Sequence, residues 1–434
     1  MDSPTTSSVW SSTLTPTASE SGGSRGALVT SRSGSSTLFG PGRSSSVQPL
    51  TVAPPSGPVR VTSLDVSSWH PRYPVIGQFA MTASQEVVAA GPDGLFSFKR
   101  VNDHASKPWS NPRPFPGTPL DSSSVSGIAL HESTLSKRLD VFCVANGNLY
   151  TFSRSTNDKD AKVSPPSFVA DSSPPLATYR VSGSPATTTI KEESYNHSKE
   201  RYSLVVPSRS GGLLHTSIGP KQSSGFGSYS DPKTEWEPVD HVATHLGVIS
   251  AVTTATLEKD KGDGYGYGVL SVDIVAVCIA QGRLHSVEGP FTEPGSGSYS
   301  FTPKGWKGEI THRIHHPGEV TGNPMLLQKT LEKGQLDLLV PSAAGGIFHF
   351  VRTPSTPDEW HMIGRIGFPN DLPPAGSLAF FQLNPNQYSQ TKILGAALEI
   401  GGRLYIVQTT SLRQPWSGCH LYPVTGPGPS YMYH

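Results

Sequence analysis

From about residue 60 onward, apolar residues arrive in short β-branched-rich runs separated by Gly, Pro, Asn and Ser, with no helical period sustained for more than a turn or two. Six of these runs are almost unbroken in hydrophobicity: EVVAA from Glu86, LDVFCV from Leu139, YSLVVP from Tyr202, VDIVAV from Val272, LDLLVP from Leu336 and ILGAAL from Ile393. Such a run reads as a strand covered on both faces. A glycine turn and a third strand follow each run: PDGLFSFKR (Gly94), ANGNLYTFSR (Gly147), SGGLLHTSI (Gly212), AQGRLHSVE (Gly282), AGGIFHFVR (Gly346) and IGGRLYIVQ (Gly402). The glycines are spaced by 53, 65, 70, 64 and 56 residues. Repeats of that length suit four-stranded blades with variable loops, whereas α-solenoid units are shorter and helical in period.

Other strands complete the unit. Upstream lies one that opens with small residues: SGIAL from Ser126, SGSPATTTI from Ser182, VISAVTTATL from Val248, TGNPMLLQ from Thr321 and AGSLAFFQL from Ala375. VIGQFAMTA from Val75 is the counterpart in the first unit. Small residues are expected where innermost strands crowd round a channel. Downstream, five of six units place a Trp ahead of a final strand: Trp109, Trp236, Trp306, Trp360 and Trp416. The second unit has SPPSFVA instead. Each unit is thus a four-stranded meander with two apolar faces, and a closed ring covers both without leaving a long open edge. The expected fold is an all-β, six-bladed β-propeller over 59–434. PVRVTSLDV, from Pro58, is expected to close the ring beside HLYPVTG near the C-terminus; if it formed a further blade, the count would be seven.

Composition extends this picture at the N-terminus. Residues 1–58 are mostly Ser, Thr, Gly and Pro, and cannot bury enough apolar surface to offset the entropy of ordering, so a disordered tail is expected there. Over the whole chain Lys+Arg number 34 against Asp+Glu 33, leaving no basic excess for phosphates, and no nucleic-acid partner is expected. No run approaches the roughly 18 apolar residues of a membrane helix, and MDSPTTSSVWSSTLTPT lacks the basic and apolar regions of a secretory signal. A soluble, cytoplasmic protein with no membrane partner is the expectation. Cys143 and Cys278 lie inside apolar runs and read as buried free thiols; with Cys419 they form no metal or redox spacing.

The phrase NPMLLQ…QLDLLVPSAAGGIFHFVR…W resembles the repeat of bacterial and fungal β-propeller lectins of the fucose-binding type. Leu139-Asp140-Val141, Val272-Asp273-Ile274 and Leu336-Asp337-Leu338, each followed by Gly-x-Leu-Tyr, Gly-x-Leu-His or the like, carry the resemblance across about 70–425. The WD40 signature and the Asp-box pattern of sialidase propellers do not occur. The resemblance implies sugar sites in clefts between blades, where Arg and Glu bond hydroxyls and an aromatic ring stacks on the C–H face of the sugar. Counted six residues after the glycines stand Arg100, Ser153 (with Arg154 beside it), Ile218, Glu288, Arg352 and Gln408; three after stand Ser97, Tyr150, His215, His285, His349 and Tyr405. The candidate sugar-binding residues are therefore Arg100 with Trp109, Glu288 with Trp306, and Arg352 with Trp360, although no Arg/Glu pair recurs from blade to blade.

Metal and cofactor sites are not expected. In Thr311-His312-Arg313-Ile314-His315-His316, an offset of three puts His312 and His315 on opposite faces of a strand. Asp260-Lys261-Gly262-Asp263-Gly264 lacks the spacing of a calcium loop. No nucleophile elbow, HExxH or P-loop occurs, and no catalytic residue is nominated. Binding of a glycan or other small molecule is the leading reading. A non-catalytic scaffold for a protein partner is the alternative, and a propeller hydrolase or lyase ranks third.

Overall fold

The hydrophobic runs pair in chain order, each with its neighbour, into six antiparallel sheets. Blade 1 holds Phe79–Met81, Glu86–Gly91, Gly94–Lys99 and Arg113–Pro114; blade 2, Val125–Ser133, Arg138–Ala145, Asn148–Ser155 and Val169–Ala170. Blade 3 holds Ala186–Glu193, Ser198–Pro207, Leu213–Pro220, Thr234–Trp236 and Asp240–Val242; blade 4, Ile249–Lys259, Ser271–Ala280, Arg283–Pro294, Phe301–Pro303 and Ile310–Ile314. Blade 5 holds Met325–Gln328, Leu336–Pro341, Ile347–Arg352 and His361–Gly367; blade 6, Ala375–Leu383, Ile393–Ile400, Arg403–Gln408 and Leu421–Pro423. The structure, a computed structural model, describes residues 59–60 and most of 76–423, the longer segments left out being 101–108, 157–168, 221–233, 260–270, 384–392 and 409–420. The tail 1–58, the segment 260–264, Trp416 and Cys419 lie outside the described residues. Among those residues the helical elements are two short 3-10 turns, and no helix is long and apolar enough to cross a membrane.

The buried apolar residues fall into six clusters, one at each junction between successive blades. Val141, Cys143 and Phe152 of blade 2 meet Val88 and Leu95 of blade 1, and the series continues round to Ala397, Leu404 and Ile406 of blade 6 against Phe79, Phe96 and Phe98 of blade 1. The ring is closed. Its last junction also carries a backbone bond from Ile76 N–H to the Gly402 carbonyl at 2.8 Å. The strand expected to close the ring is elsewhere: Val59–Arg60 pairs in parallel with Ile366–Gly367 on the outer edge of blade 5, and Leu421–Pro423 pairs only with Tyr405–Val407 of its own blade. Closure thus rests on side-chain packing and on hydrogen bonds such as Ile76 to Gly402 and Ser377 to Gln78, and the described strands form six blades, with no seventh.

The blades alternate between two kinds, which the recurring glycine conceals. In blades 2, 4 and 6 that glycine is the second residue of a two-residue turn (Asn146-Gly147, Gln281-Gly282, Gly401-Gly402) with both residues left-handed, the turn that matches strand twist. In blades 1, 3 and 5 the glycine follows the turn and opens the strand, Gly94 opposite Gly91 and Gly346 donated to by Ser342 N–H. The third strands are consequently offset by one residue. Leu95, Leu213 and Ile347, one after the glycine, face the following blade in the odd set; Leu149, Leu284 and Leu404, two after it, do so in the even set. The even blades also share a bulge at the start of the inner strand, at Val125/Gly127, Ile249/Ala251 and Ala375/Ser377. The ring therefore repeats every two blades.

Small residues on the inner strands are set by close approach across junctions. A Cβ on Gly127 would collide with Ser184 of blade 3, and Ser184 and Asn323 form parallel bridges to Ala251 and Ser377 of the next blade. All six inner strands line a central cavity of about 100 Å³, whose wall includes Ala80, Ala129, Thr254, Asn323 and Ala379 and carries no acid, histidine or cysteine. The cysteines of the second strands, Cys143 and Cys278, are buried free thiols whose pKa burial pushes up to about 12.

Two outcomes test this arrangement. Gly346 has φ +86 and a Cβ there would overlap the Ile366 carbonyl, whereas Gly282 has φ +71 in open space. Gly346→Ala should destabilise by about 1–3 kcal/mol more than Gly282→Ala, since positive φ is common to both and the clash to one. Equal urea midpoints would remove the packing argument. At the closing junction, the Glu399 carboxylate accepts from Gly402 N–H at 2.7 Å, and burial raises its pKa to about 7 against the weaker opposing pull of backbone bonds from Gly402 and Gly376. With the folded pKa above the unfolded one, the stabilising contribution of this group is complete below pH 4.5 and lost as pH rises through 7. Wild-type stability measured relative to Glu399→Gln should decline by up to about 3 kcal/mol between pH 4.5 and 8.

Candidate functional site

Each odd-numbered blade ends its third strand with a residue that faces a tryptophan. Arg100 forms a bridge with Trp109, Ile218 pairs with Trp236, and Val351 pairs with His361, which sets Arg352 beside Trp360. Directly opposed residues of an antiparallel pair share a face. Here it is the face of Phe98, Leu214 and Phe350, which is turned toward the preceding blade. The opposite wall comes from the even-numbered blades, where the same-facing positions include Ser153 and Glu288. Three equivalent clefts result, between blades 2 and 3, 4 and 5, and 6 and 1.

Among the described residues, the cleft between blades 4 and 5 is the one that sets a carboxylate against a guanidinium beside its tryptophan. Arg352 grips Glu288 through both guanidinium nitrogens, Nη1 to Oε1 and Nη2 to Oε2 at 3.1 Å. The side chains are 4% and 12% exposed, and Trp360, half-buried, packs against the same apolar cluster. The structure thus brings Glu288 of the fourth repeat to Arg352 and Trp360 of the fifth. It separates Glu288 from Trp306. Gly289 turns the next position on the strand toward blade 3, and the Trp306 indole occupies the space a Cβ there would fill. Trp306 is 2% exposed, its ring meets His215 edge-on at 5.3 Å, and its backbone N–H donates to Asp240 at 3.0 Å. Arg100 donates to Gln85 at 3.3 Å, while Trp109 is 5% exposed and packs edge-on against Phe98.

The one-residue offset explains why no Arg/Glu pair recurs when positions are counted from the glycine. In even blades the position matching Arg100 and Arg352 is seven residues on, and in blade 2 that residue is Arg154. It reaches back to blade 1 and binds Glu86 with both side chains below a tenth exposed. Counting from the glycine did not single out Glu86, since nothing in the repeat marks it as the partner of a residue 68 positions away. The cleft between blades 2 and 3 has other polar contents: His131 contacts Thr189 at 3.0 Å and Glu200 at 3.2 Å and stacks on Tyr202 at 3.7 Å. Tyr202 donates to Asp140, whose pKa is raised by burial in spite of the lowering pull of Arg138. Buried His349 contacts Asp337 at 2.9 Å inside blade 5. Among the described residues no group of three His, Cys, Asp or Glu side chains could hold a metal ion.

No family model matches the chain, and no curated protein gives a significant match. Solved structures do. The BP39L lectin from Burkholderia pseudomallei is 15% identical with a TM-score of 0.43, covering 77% of this chain and 80% of its own. BBS1N, solved in complex with ARL6DN, is 12% identical with a TM-score of 0.35, covering 80% and 98%. Trypanosoma rangeli sialidase is 10% identical with a TM-score of 0.36, covering 72% of this chain and 48% of its own. Nothing about a ligand follows from these likenesses.

The Arg352–Glu288 pair can be probed by a double-mutant cycle. Removing one partner strands a buried charge, so Arg352→Met alone should cost about 3–5 kcal/mol, and Arg352→Met combined with Glu288→Leu should recover most of that loss. Additive losses in chemical denaturation would show that the two side chains do not act as a pair.

Proposed function

We propose that the protein is a carbohydrate-binding propeller whose best-formed site is the cleft between blades 4 and 5. The convergence of Glu288, Arg352 and Trp360 carries this reading. A buried ion pair is a poor device for stability, because apolar side chains of like volume usually serve as well or better. It is a good device for recognising hydroxyls. A guanidinium has five N–H donors and a carboxylate about four acceptor sites, and their mutual contact here uses two of each. Adjacent sugar hydroxyls can bridge what is left, while the half-buried indole of Trp360 supplies a platform for the apolar side of the ring. A deoxy-sugar of the fucose type, with a methyl group and three hydroxyls on one small ring, has the mixed surface this site would select. Cleft 6/1, with Arg100 beside Trp109, would be a weaker second site.

Glycan-array binding of the full chain, followed by calorimetric titration with the free monosaccharide, tests the proposal. Hits should be competed by the free sugar. Trp360→Ala should weaken them tenfold or more, about 1.4 kcal/mol or above, with the melting curve little changed. A folded chain that captures no immobilised glycan would overturn it.

A further inference from the structure

The end of the ring that carries the tight glycine turns has a feature the sugar-binding reading does not use. On the third strand of blade 4, Arg283, His285 and Val287 alternate onto one face, and Val287 is buried in the junction with blade 3. Arg313 lies directly opposite His285 on the paired strand Ile310–Ile314 and shares that face. Above the buried Val287 and Trp306, the junction therefore changes from apolar to cationic. The connection between blades adds His245, on the turn Thr244–Leu246, which Gly247 places beside the Gln281 side chain.

Four cationic or protonatable side chains thus gather at one mouth. Arg283 and Arg313 are exposed, His285 is half-buried and the His245 side chain is 55% exposed. Burial, and then the charges of Arg313, His245 and Arg283, hold His285 below its usual pKa, which places those three side chains within electrostatic reach of it. Of the described carboxylates at this junction, Glu309 lies 3.8 Å from His245 and already accepts the Ala243 N–H at 2.8 Å, and Asp240 accepts the Trp306 backbone N–H at 3.0 Å. Among the described residues neither arginine has a carboxylate partner. Blades 2 and 6 carry Asn148 and Tyr150, and Arg403 and Tyr405, at the matching third-strand positions, so among the described residues neither repeats the arginine–histidine pair of that strand.

We propose that this mouth between blades 3 and 4 binds an oxyanion group, a sulfate or phosphate ester, with Arg283 and Arg313 as its principal ligands and His285 and His245 at its edge. Two guanidinium forks at a diagonal spacing of about 7–8 Å converge on one tetrahedral anion and present paired N–H donors to its oxygens. The site is independent of the Trp360 cleft, which lies at another junction.

The test is a titration of the full chain with inorganic sulfate, inorganic phosphate and a sulfated hexasaccharide, read from the ring resonances of His285 and from calorimetry. Saturable shifts at His285 are expected with at least one of the three. A hexasaccharide bound tenfold or more tighter than either free ion identifies a glycan source, and equal affinities identify a free anion. Arg283→Gln/Arg313→Gln should weaken binding at least tenfold, whereas Arg283→Lys/Arg313→Lys should retain much of it. Arg403→Gln should leave it unchanged, and Trp360→Ala should leave the His285 shifts with inorganic sulfate and phosphate unchanged, so failure here and failure of the sugar site are told apart. Absence of any saturable shift, or full binding by the glutamine double variant, would overturn the proposal.

Discussion

A four-stranded sheet whose two faces are both apolar has no stable existence alone, and everything in this protein follows from how those faces are covered. Each blade lends one face to the blade before it and one to the blade after it, which produces six buried clusters and no terminal one. Fully burying a Leu, Ile or Phe contributes about 1.5–3 kcal/mol, and the second and third strands supply such residues on both sides. Ring closure is therefore a condition of stability for every blade. An opened ring would expose Phe79, Phe96 and Phe98 together with Leu404 and Ile406.

The same constraint locates the chemistry. Side chains in the middle of the strands are committed to packing, so polar function is confined to strand ends, where successive blades diverge. At one end stand the Arg–Glu pairs, Arg154 with Glu86 and Arg352 with Glu288, each joining neighbouring blades. At the other stand the tight turns and the cations of blade 4. Both locations lie at junctions, so any ligand bound there touches two blades, and occupancy is coupled to the packing that holds the ring.

The two-blade period divides the six junctions into two sets of three. In one set, an odd blade turns its tryptophan and its terminal third-strand residue toward an even blade, as in Arg352 and Trp360 against Glu288. The other set is built differently, and at blades 3 and 4 the Trp306 indole fills the room that Gly289 leaves. Equivalent backbone positions thus diverge in use. One cleft holds an acid, a base and a ring, another a His131–Tyr202 stack, and another Arg100 beside a buried Trp109.

Strand periodicity and the recurring glycine were enough to mark six repeated units, their order and the need for a closed ring, because covering two apolar faces is a local requirement written into each run; how the ring closes was not legible there. They also marked Arg352, Glu288 and Trp360 individually. Which residues meet across a junction was decided by tertiary structure alone. A turn that places its glycine inside the loop in one blade and after it in the next shifts the strand by one residue, and one residue reverses the face of a side chain. The glycines look alike in sequence, so the shift is invisible there. For that reason Glu288 and Trp306 are parted, Arg154 and Glu86 are joined across 68 positions, and Val59–Arg60 lies along blade 5, away from the closing blade.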